Sequence, residues 1–471
     1  MKATCPTIVV ASTSSGAGKT SVSLALTGAL KRRGLKVQTF KVGPDFLDPT
    51  YLAAATGRDC FNLDGWMAGK EYVLNLFANE TANADIAVIE GVMGLFDGAD
   101  SATSEGSTAE IASWLNAPVL LTVNARGMAR SIAAMVKGFC TFEEGVNVAG
   151  VIANHAGSER HRQWLSDSLL SSSLPPLLGA IPKNAFPELK SRHLGLMTAD
   201  ISAGRKNFNS EILERFADVF EENVSVDEII KLAKSAPAID IKNVSTSSAQ
   251  ISSAQKDKKI RLGLAFDGAF HFYYPDNLKA LERLGCEIVN FSPVSDKKLP
   301  DDLNGVYFGG GYPEEFAAQL SANESMMEDI RKFAESGRPV YAECGGLVYL
   351  SEGLETLDGT NYKMAGVLPS GVKMRKNFKN LGYVEATITG DTILGRRGEK
   401  LRGHRFHYSE LTRDPSKSSG WNTVYSLSRR RSKELISEGY QRKGVLASYV
   451  HTHIASRPQA LKSFVESCAG K

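Results

Sequence analysis

Cysteine is scarce and scattered. The six in this 471-residue chain are Cys5, Cys60, Cys140, Cys286, Cys344 and Cys468. None forms a C-x-x-C pair, which argues against a disulfide framework or a zinc knuckle. Neither sign of charge dominates: 55 Lys and Arg stand against 52 Asp and Glu, a net charge of +3. That surplus is too small to build a nucleic-acid-binding field over the molecule. No apolar run approaches the roughly 18 residues of a membrane helix. Met1–Ala11 enters a strand-like run with no charged-then-apolar leader. Together these absences point to a reduced, cytoplasmic protein with neither nucleic acid nor membrane as partner. What remains is ordinary globular composition, 42% hydrophobic and 23% charged, over a length that suits two or three domains.

One stretch lacks aromatic residues and is rich in Ser, Ala and Lys: residues 235–259, SAPAIDIKNVSTSSAQISSAQKDKK. It cannot bury enough apolar surface to offset its ordering entropy and reads as a linker. The expected domains are therefore 1–234 and 260–471. Before the linker, strand-like runs fall at Thr7–Ala11, Val37–Val42, Ile86–Glu90, Val119–Val123 and Val148–Ile152, with helical patterns such as Lys19–Arg33 and Ser107–Leu115 between them. After it they fall at Arg261–Phe266, Glu287–Phe291, Val306–Phe308, Val340–Glu343 and Val445–Tyr449, with helical Asn277–Leu284 and Met326–Ser336. This alternation predicts an α/β protein of two parallel-sheet domains. Arg429–Arg431 reads as a solvated loop or as a phosphate or carboxylate contact.

The first strand runs into Thr13-Ser14-Ser15-Gly16-Ala17-Gly18-Lys19-Thr20 and then a helix. Strand, Gly-rich turn, Lys-Thr and helix is the context of a P-loop, although Thr13 stands where the motif has its first Gly. Gly16 and Gly18 let backbone N–H groups face a phosphate, Lys19 adds positive charge, and the Thr20 hydroxyl can ligate Mg²⁺. Ile86–Glu90 ends a buried strand in a carboxylate at the same sheet edge, where it can hold a metal. Asp45 and Asp48 in KVGPDFLDP, and Asp97 in MGLFDG, follow strands at that edge. They are candidates to orient a substrate, or simply to cap helices and brace turns. Asn124 and Asn154 end two further strands, where their amides could read an adenine edge or form turns.

In the second half, Val340–Glu343 leads to Cys344-Gly345-Gly346, a sharp strand-to-helix turn that would lift a sulfur out of the sheet. Helix N–H groups beyond it favour thiolate. Phe308 is followed by Gly309-Gly310-Gly311, whose amides, with that of Gly345, could form an oxyanion hole. Val445–Tyr449 leads to His451, and a Cys and a His on neighbouring strand ends make a thiolate–imidazole pair. His404 and His407 lie three residues apart on one expected strand and would point to opposite faces, a poor metal pair. A thiol that releases ammonia from glutamine and a nucleotide site that phosphorylates a carboxylate together make an amide. Shielded delivery keeps the ammonia unprotonated.

Across essentially the whole chain these motifs resemble the cobyrinic acid a,c-diamide synthases, glutamine-dependent amidoligases of cobalamin biosynthesis. The N-terminal half is similar to the dethiobiotin synthetase-like P-loop group through TSSGAGKT and IEG. The pieces KVGPDFLDP, EGVMGLFDG, RHLGL (Arg192–Leu196), FHFYYPDNL (Phe270–Leu278), GGGYPE and FHYS carry the closer likeness. The C-terminal half is similar to class I glutamine amidotransferases. The resemblance implies ATP as co-substrate and Mg²⁺, bound by Lys19 and Thr20, with Glu90 and Asp45 as metal-associated carboxylates. It implies that Asp48 and Asp97 position the substrate carboxylate or acyl phosphate, that Cys344 is the nucleophile, and that His451 raises its nucleophilicity. The expected partners are a tetrapyrrole (corrin), glutamine and ATP, and a homodimer is compatible with them. Relatives act on hydrogenobyrinic acid or Ni-sirohydrochlorin, and the motifs do not separate these. The reading from another class is a P-loop switch ATPase with a non-catalytic binding domain. Two positions depart from the family: His453 where the wider group has Glu, and Arg405 where the family often reads Glu in G-H-E-F-H-Y-S.

Overall fold

The computed structural model describes residues 2–188, 210–240, 259–377, 380–429, 432 and 434–470. The RHLGL segment, most of the expected linker, and Arg430 and Arg431 lie outside them. The described residues divide into two compact units, one before residue 241 and one after residue 258.

The first unit is built on seven parallel strands: β1 Thr7–Ser12, β2 Val37–Val42, β3 Phe61–Leu63, β4 Ile86–Glu90, β5 Val119–Asn124, β6 Val148–Ala156 and β7 Leu177–Pro182. Their order is β3-β2-β4-β1-β5-β6-β7. Alternate residues of β1 enter two separate cores, Val9 and Ala11 on one face and Ile8 and Val10 on the other. A strand buried on both faces reads as a continuous apolar run rather than an alternating one, as TIVVA does. Helix α1 (Lys19–Arg32) follows β1, and α2 (Asp48–Thr56) follows β2. Helix α3 (Ser210–Asn223) lies against α1, where the Gly28 position closely faces Ala217. Phe216 and Phe220 of α3 are fully buried, and Phe216 stacks on Phe186 at 5.1 Å. Ile239–Asp240 pairs antiparallel with Lys2–Ala3.

The second unit contains a ten-stranded sheet of β8 Ile260–Ala265, β9 Cys286–Phe291, β10 Gly305–Phe308, β11 Val340–Glu343, β12 Asn380–Ile388, β13 Lys400–His407, β14 Asn422–Arg429, β15 Leu435–Arg442, β16 Val445–Ser448 and β17 Val450–Thr452. The order is β9-β8-β10-β11-β16-β15-β14-β12-β13-β17. Five of the strands read from the sequence, β8 to β11 and β16, are its parallel half, and the strand expected to carry His404 and His407 is β13, in the antiparallel half. The rest is antiparallel, so the sheet is mixed rather than parallel throughout. These strands carry several charged and polar residues and depart from strict alternation, so their strand period is weak in the sequence. A single residue, Tyr449, separates β16, which pairs with β11, from β17, which pairs with β13. That break carries the chain from the thiol strand to the strand of His404. Among the described residues no helix is long and apolar enough to cross a membrane.

Because α3 is held to the first unit by buried aromatics, Phe216→Ala is expected to lower its unfolding free energy by about 3–5 kcal/mol. Urea unfolding of the full chain reads this. A loss under about 1 kcal/mol would show that α3 is not integral to that core.

Candidate active sites

At the carboxyl edge of the first sheet, Gly18 caps α1 in the left-handed region at φ 99°. A side chain there would also strike Asn154, whose Nδ2 donates to the Ala17 carbonyl at 2.9 Å. Asn154 thus braces the loop from below and is buried. Asn124, its register partner on β5, is exposed and accepts the Arg126 amide in a turn. Gly16 sits at φ 78° in the loop tip. Lys19 is 8% exposed and donates to Ser12 Oγ at 2.9 Å and to the Met93 carbonyl. Burial and the neighbouring Lys41 charge lower its pKa to about 8.

Lys41 was not singled out by sequence reasoning. It is the register partner of Glu90 across β2 and β4, so the two side chains share a face. Its ammonium donates to Asp48 Oδ2 at 2.7 Å, Glu90 Oε1 at 2.9 Å and the Gly91 carbonyl at 3.0 Å. All three donors of a lysine are thereby used. Burial works against its charge, and the Glu90 and Asp48 carboxylates override it, raising its pKa. Glu90 is fully buried, and burial pushes its carboxyl up while Lys41 pulls it back. The signal in the sequence was a Lys at the end of a buried apolar strand, which needs a counter-charge.

The expected acidic residues separate in geometry. Glu90 Oε1 also accepts the Thr20 hydroxyl at 2.7 Å, and Glu90 Oε2 is buried without a hydrogen-bonding partner. Asp48 joins them through Lys41. Asp45 Oδ1 accepts the amides of Leu47 and Asp48, a turn-bracing arrangement. Asp97 is exposed and braces its own loop through the Gly94 amide at 2.9 Å. Among the described residues no three His, Cys, Asp or Glu side chains make a metal cage. A Mg²⁺ that takes one or two protein oxygens and completes its shell with phosphates and water needs no cage. The orphaned Glu90 oxygen beside the Thr20 hydroxyl fits such an ion.

In the second unit, Cys344 holds φ 47° and ψ −98° between β11 and helix α4 (Gly345–Leu350). A non-glycine residue in that region costs about 1–3 kcal/mol and persists only where its surroundings enforce it. They do so here: the Cys344 amide donates to the Ser448 carbonyl at 2.7 Å, and the Gly346 amide to the Gly309 carbonyl at 3.0 Å. A Cβ on Gly346 would strike Phe308, and one on Gly345 would crowd Gly311 N at 3.0 Å. One on Gly310 would sit 2.3 Å from His451 Cε1. Gly310, Gly311 and Gly345 are thus gathered in one place, with His451 against the first of them. The Cys344 sulfur lies 3.8 Å from the Phe406 carbonyl. Burial, then the Glu314 charge, raise the thiol pKa to about 12. Burial, then His404, hold the His451 imidazole well below its usual range.

The residue before Cys344 was also missed. Glu343 Oε2 lies 3.9 Å from His451 Nδ1. The carboxylate accepts the hydroxyls of Tyr307 at 2.9 Å and Tyr341 at 2.5 Å, and the Thr452 amide at 2.9 Å. His453, standing where the wider group has Glu, points elsewhere and pairs with Asp276 at 2.8 Å. His404 stacks on His451 at 5.0 Å, whereas His407 stacks on Tyr449 at 3.9 Å, so the two histidines occupy different neighbourhoods.

A P-loop over a buried carboxylate and a cysteine elbow beside a histidine define a nucleotide-binding unit joined to a glutamine amidotransferase unit. Residues 8–196 match the family described as the CobQ/CobB/MinD/ParA nucleotide binding domain, and residues 261–459 the CobB/CobQ-like glutamine amidotransferase domain. The chain is 53% identical to a cobyrinate a,c-diamide synthase of Syntrophotalea carbinolica, over 99% of both chains. It is 45% identical to that of Leptospira interrogans over 99% of both, and 38% identical to that of Methanosarcina barkeri over 98% of this chain and 96% of the other. The chain belongs to the cobyrinate a,c-diamide synthase family.

Two measurements follow from the charge states. Bound phosphates favour the Lys19 ammonium, so ATP binding at pH about 8.5, above the Lys19 pKa, takes up a proton that binding at about 6.5 does not. Calorimetry in buffers of different ionisation enthalpy reads the uptake, and equal enthalpies at the higher pH would contradict it. Iodoacetamide is expected to alkylate Cys344 slowly at pH about 7 and faster as pH rises beyond about 9. A rate already at its plateau at neutral pH would mean a standing thiolate.

Proposed function

We propose that this chain amidates the a- and c-acetate carboxylates of cobyrinic acid, with glutamine as nitrogen donor and ATP as activator. The observation that carries the reading is one chain holding both a cysteine elbow against Gly310, Gly311 and His451 and a P-loop lysine beside Glu90. Full-length identity with enzymes of that name supports it.

At the second unit, Cys344 attacks the amide carbon of glutamine as its proton passes to His451. The oxyanion that forms is met by backbone amides of Gly310, Gly311 and Gly345. His451 then gives the proton to the departing nitrogen, ammonia leaves, and water releases glutamate from the thioester. A neutral thiol and a neutral imidazole at rest make this a proton transfer on demand rather than a standing ion pair. Glu343 lies beside Nδ1 when the imidazolium forms and stabilises it.

At the first unit, Gly16, Gly18 and Lys19 cradle the ATP phosphates, Asn154 keeps the loop in shape, and exposed Asn124 is the residue left to meet the base. A carboxylate oxygen of the substrate attacks the γ-phosphorus, giving an acyl phosphate and ADP. Ammonia displaces phosphate from it and leaves an amide. Thr20 and Glu90, with Asp45 nearby in sequence to Asp48, would hold a Mg²⁺ that neutralises phosphate charge. Asp48, fixed by Lys41, and Asp97 orient the substrate carboxylate. ATP and glutamine are cytoplasmic metabolites, which places the reaction in the cytoplasm.

Cys344→Ala is expected to cut glutamine-driven amidation by about 10³-fold or more while amidation with ammonium salts continues. Lys19→Ala is expected to abolish both. Mass spectrometry of products from cobyrinic acid, hydrogenobyrinic acid and Ni-sirohydrochlorin reads the gain of two amides. Gain on none of them, or ATP hydrolysis indifferent to glutamine, ammonia and macrocycle, would overturn the reading.

A further inference from the structure

Arg405 lies in the middle of β13 and is 7% exposed. Residues on a strand alternate faces, and here His404 turns to His451 while Arg405 turns with His407 toward Tyr449. A guanidinium carries five N–H donors and no acceptor. That of Arg405 places Nη2 3.2 Å from His407 Nε2 and Cζ 6.0 Å from the Tyr449 ring centre, and its Nε is buried with no hydrogen-bonding partner. Glu438 shares its field and answers part of its charge, while its oxygens also accept Ser448 Oγ at 2.6 Å and the Tyr449 amide at 2.7 Å. A buried guanidinium with an orphaned Nε and one imidazole contact still has N–H groups to satisfy, and buried donors are retained where something accepts from them.

The location says what that partner is. The Cys344 sulfur faces the carbonyl of Phe406, the next residue along β13. Tyr449, beneath the guanidinium, follows Ser448, which holds the Cys344 amide. The guanidinium and the sulfur therefore flank the same short piece of chain. A glutamine with its side-chain amide at the sulfur carries an α-carboxylate at its far end, beyond a short carbon spacer. A planar fork of N–H groups binds a carboxylate through two parallel hydrogen bonds, which a lysine or a neutral donor cannot reproduce.

We propose that Arg405 is the glutamine-binding residue that pairs with the substrate's α-carboxylate. The assignment rests on the reading of Cys344 as a glutaminase nucleophile.

The test compares hydrolysis of L-glutamine with that of 4-aminobutanamide, which keeps the amide and lacks the α-carboxylate, by the parent chain and by Arg405→Met and Arg405→Lys. The parent is expected to prefer L-glutamine. In Arg405→Met the ratio of kcat/KM for L-glutamine to that for the analogue is expected to fall by roughly 10- to 100-fold, mostly through KM for L-glutamine. Arg405→Lys is expected to recover part of it. If Arg405→Met lowers both substrates equally, the residue holds the fold rather than the carboxylate, and the proposal is overturned. An unchanged ratio overturns it as well. If the parent hydrolyses neither amide, the glutaminase reading falls and takes this assignment with it.

Discussion

An ammonium without access to water organises the nucleotide side of this protein. Lys41 stands between Asp48 and Glu90, and each of the three would be costly to bury alone. Together they fix the start of α2, the end of β4 and the Gly91 carbonyl relative to one another. Glu90 in turn receives the Thr20 hydroxyl, and Lys41 depresses the neighbouring Lys19. Remove the central charge and two carboxylates face each other at a phosphate site. The phosphate-binding loop is therefore not an independent cradle. Lys19, Glu90 and Asp48 are all set against one buried lysine.

The second unit uses close steric approach in place of charge. Its elbow works because glycines at 310, 311, 345 and 346 let backbone come nearer than a methyl group permits, and because Ser448 and Gly309 hold the turn by hydrogen bonds. The imidazole and thiol are both kept neutral by burial. The carboxylate beside His451 comes from the residue just before Cys344, so the two sit at the end of one strand. A pair of tyrosine hydroxyls and a backbone amide keep that carboxylate in place.

What could be seen in the sequence was what is local. TSSGAGKT, the Glu at the end of IAVIE, and Cys-Gly-Gly after VYAE each contain strand, turn and chemistry within a dozen residues, and the apolar runs of both parallel sheets announced themselves. Contacts between distant segments were out of reach. Lys41 and Glu90 meet through strand register, and His453 meets Asp276 from far along the chain. Glu343 precedes the cysteine, where a search downstream of the histidine does not look. Most of the antiparallel half of the second sheet was under-read because its strands break the strict alternation that would mark them. Asp45 and Asp97 show the reverse: residue type and position suggested chemistry, and their visible hydrogen bonds are those of turns.

The single-residue break at Tyr449 has a consequence for how the molecule comes into being. The sulfur-bearing strand is made long before β16 and β17, yet β16 pairs alongside it and β17 brings the imidazole. During synthesis, a chain that has already produced the cysteine presents it on an open sheet edge with no base beside it. Thiol and imidazole are brought together only when the last strands pair into the sheet.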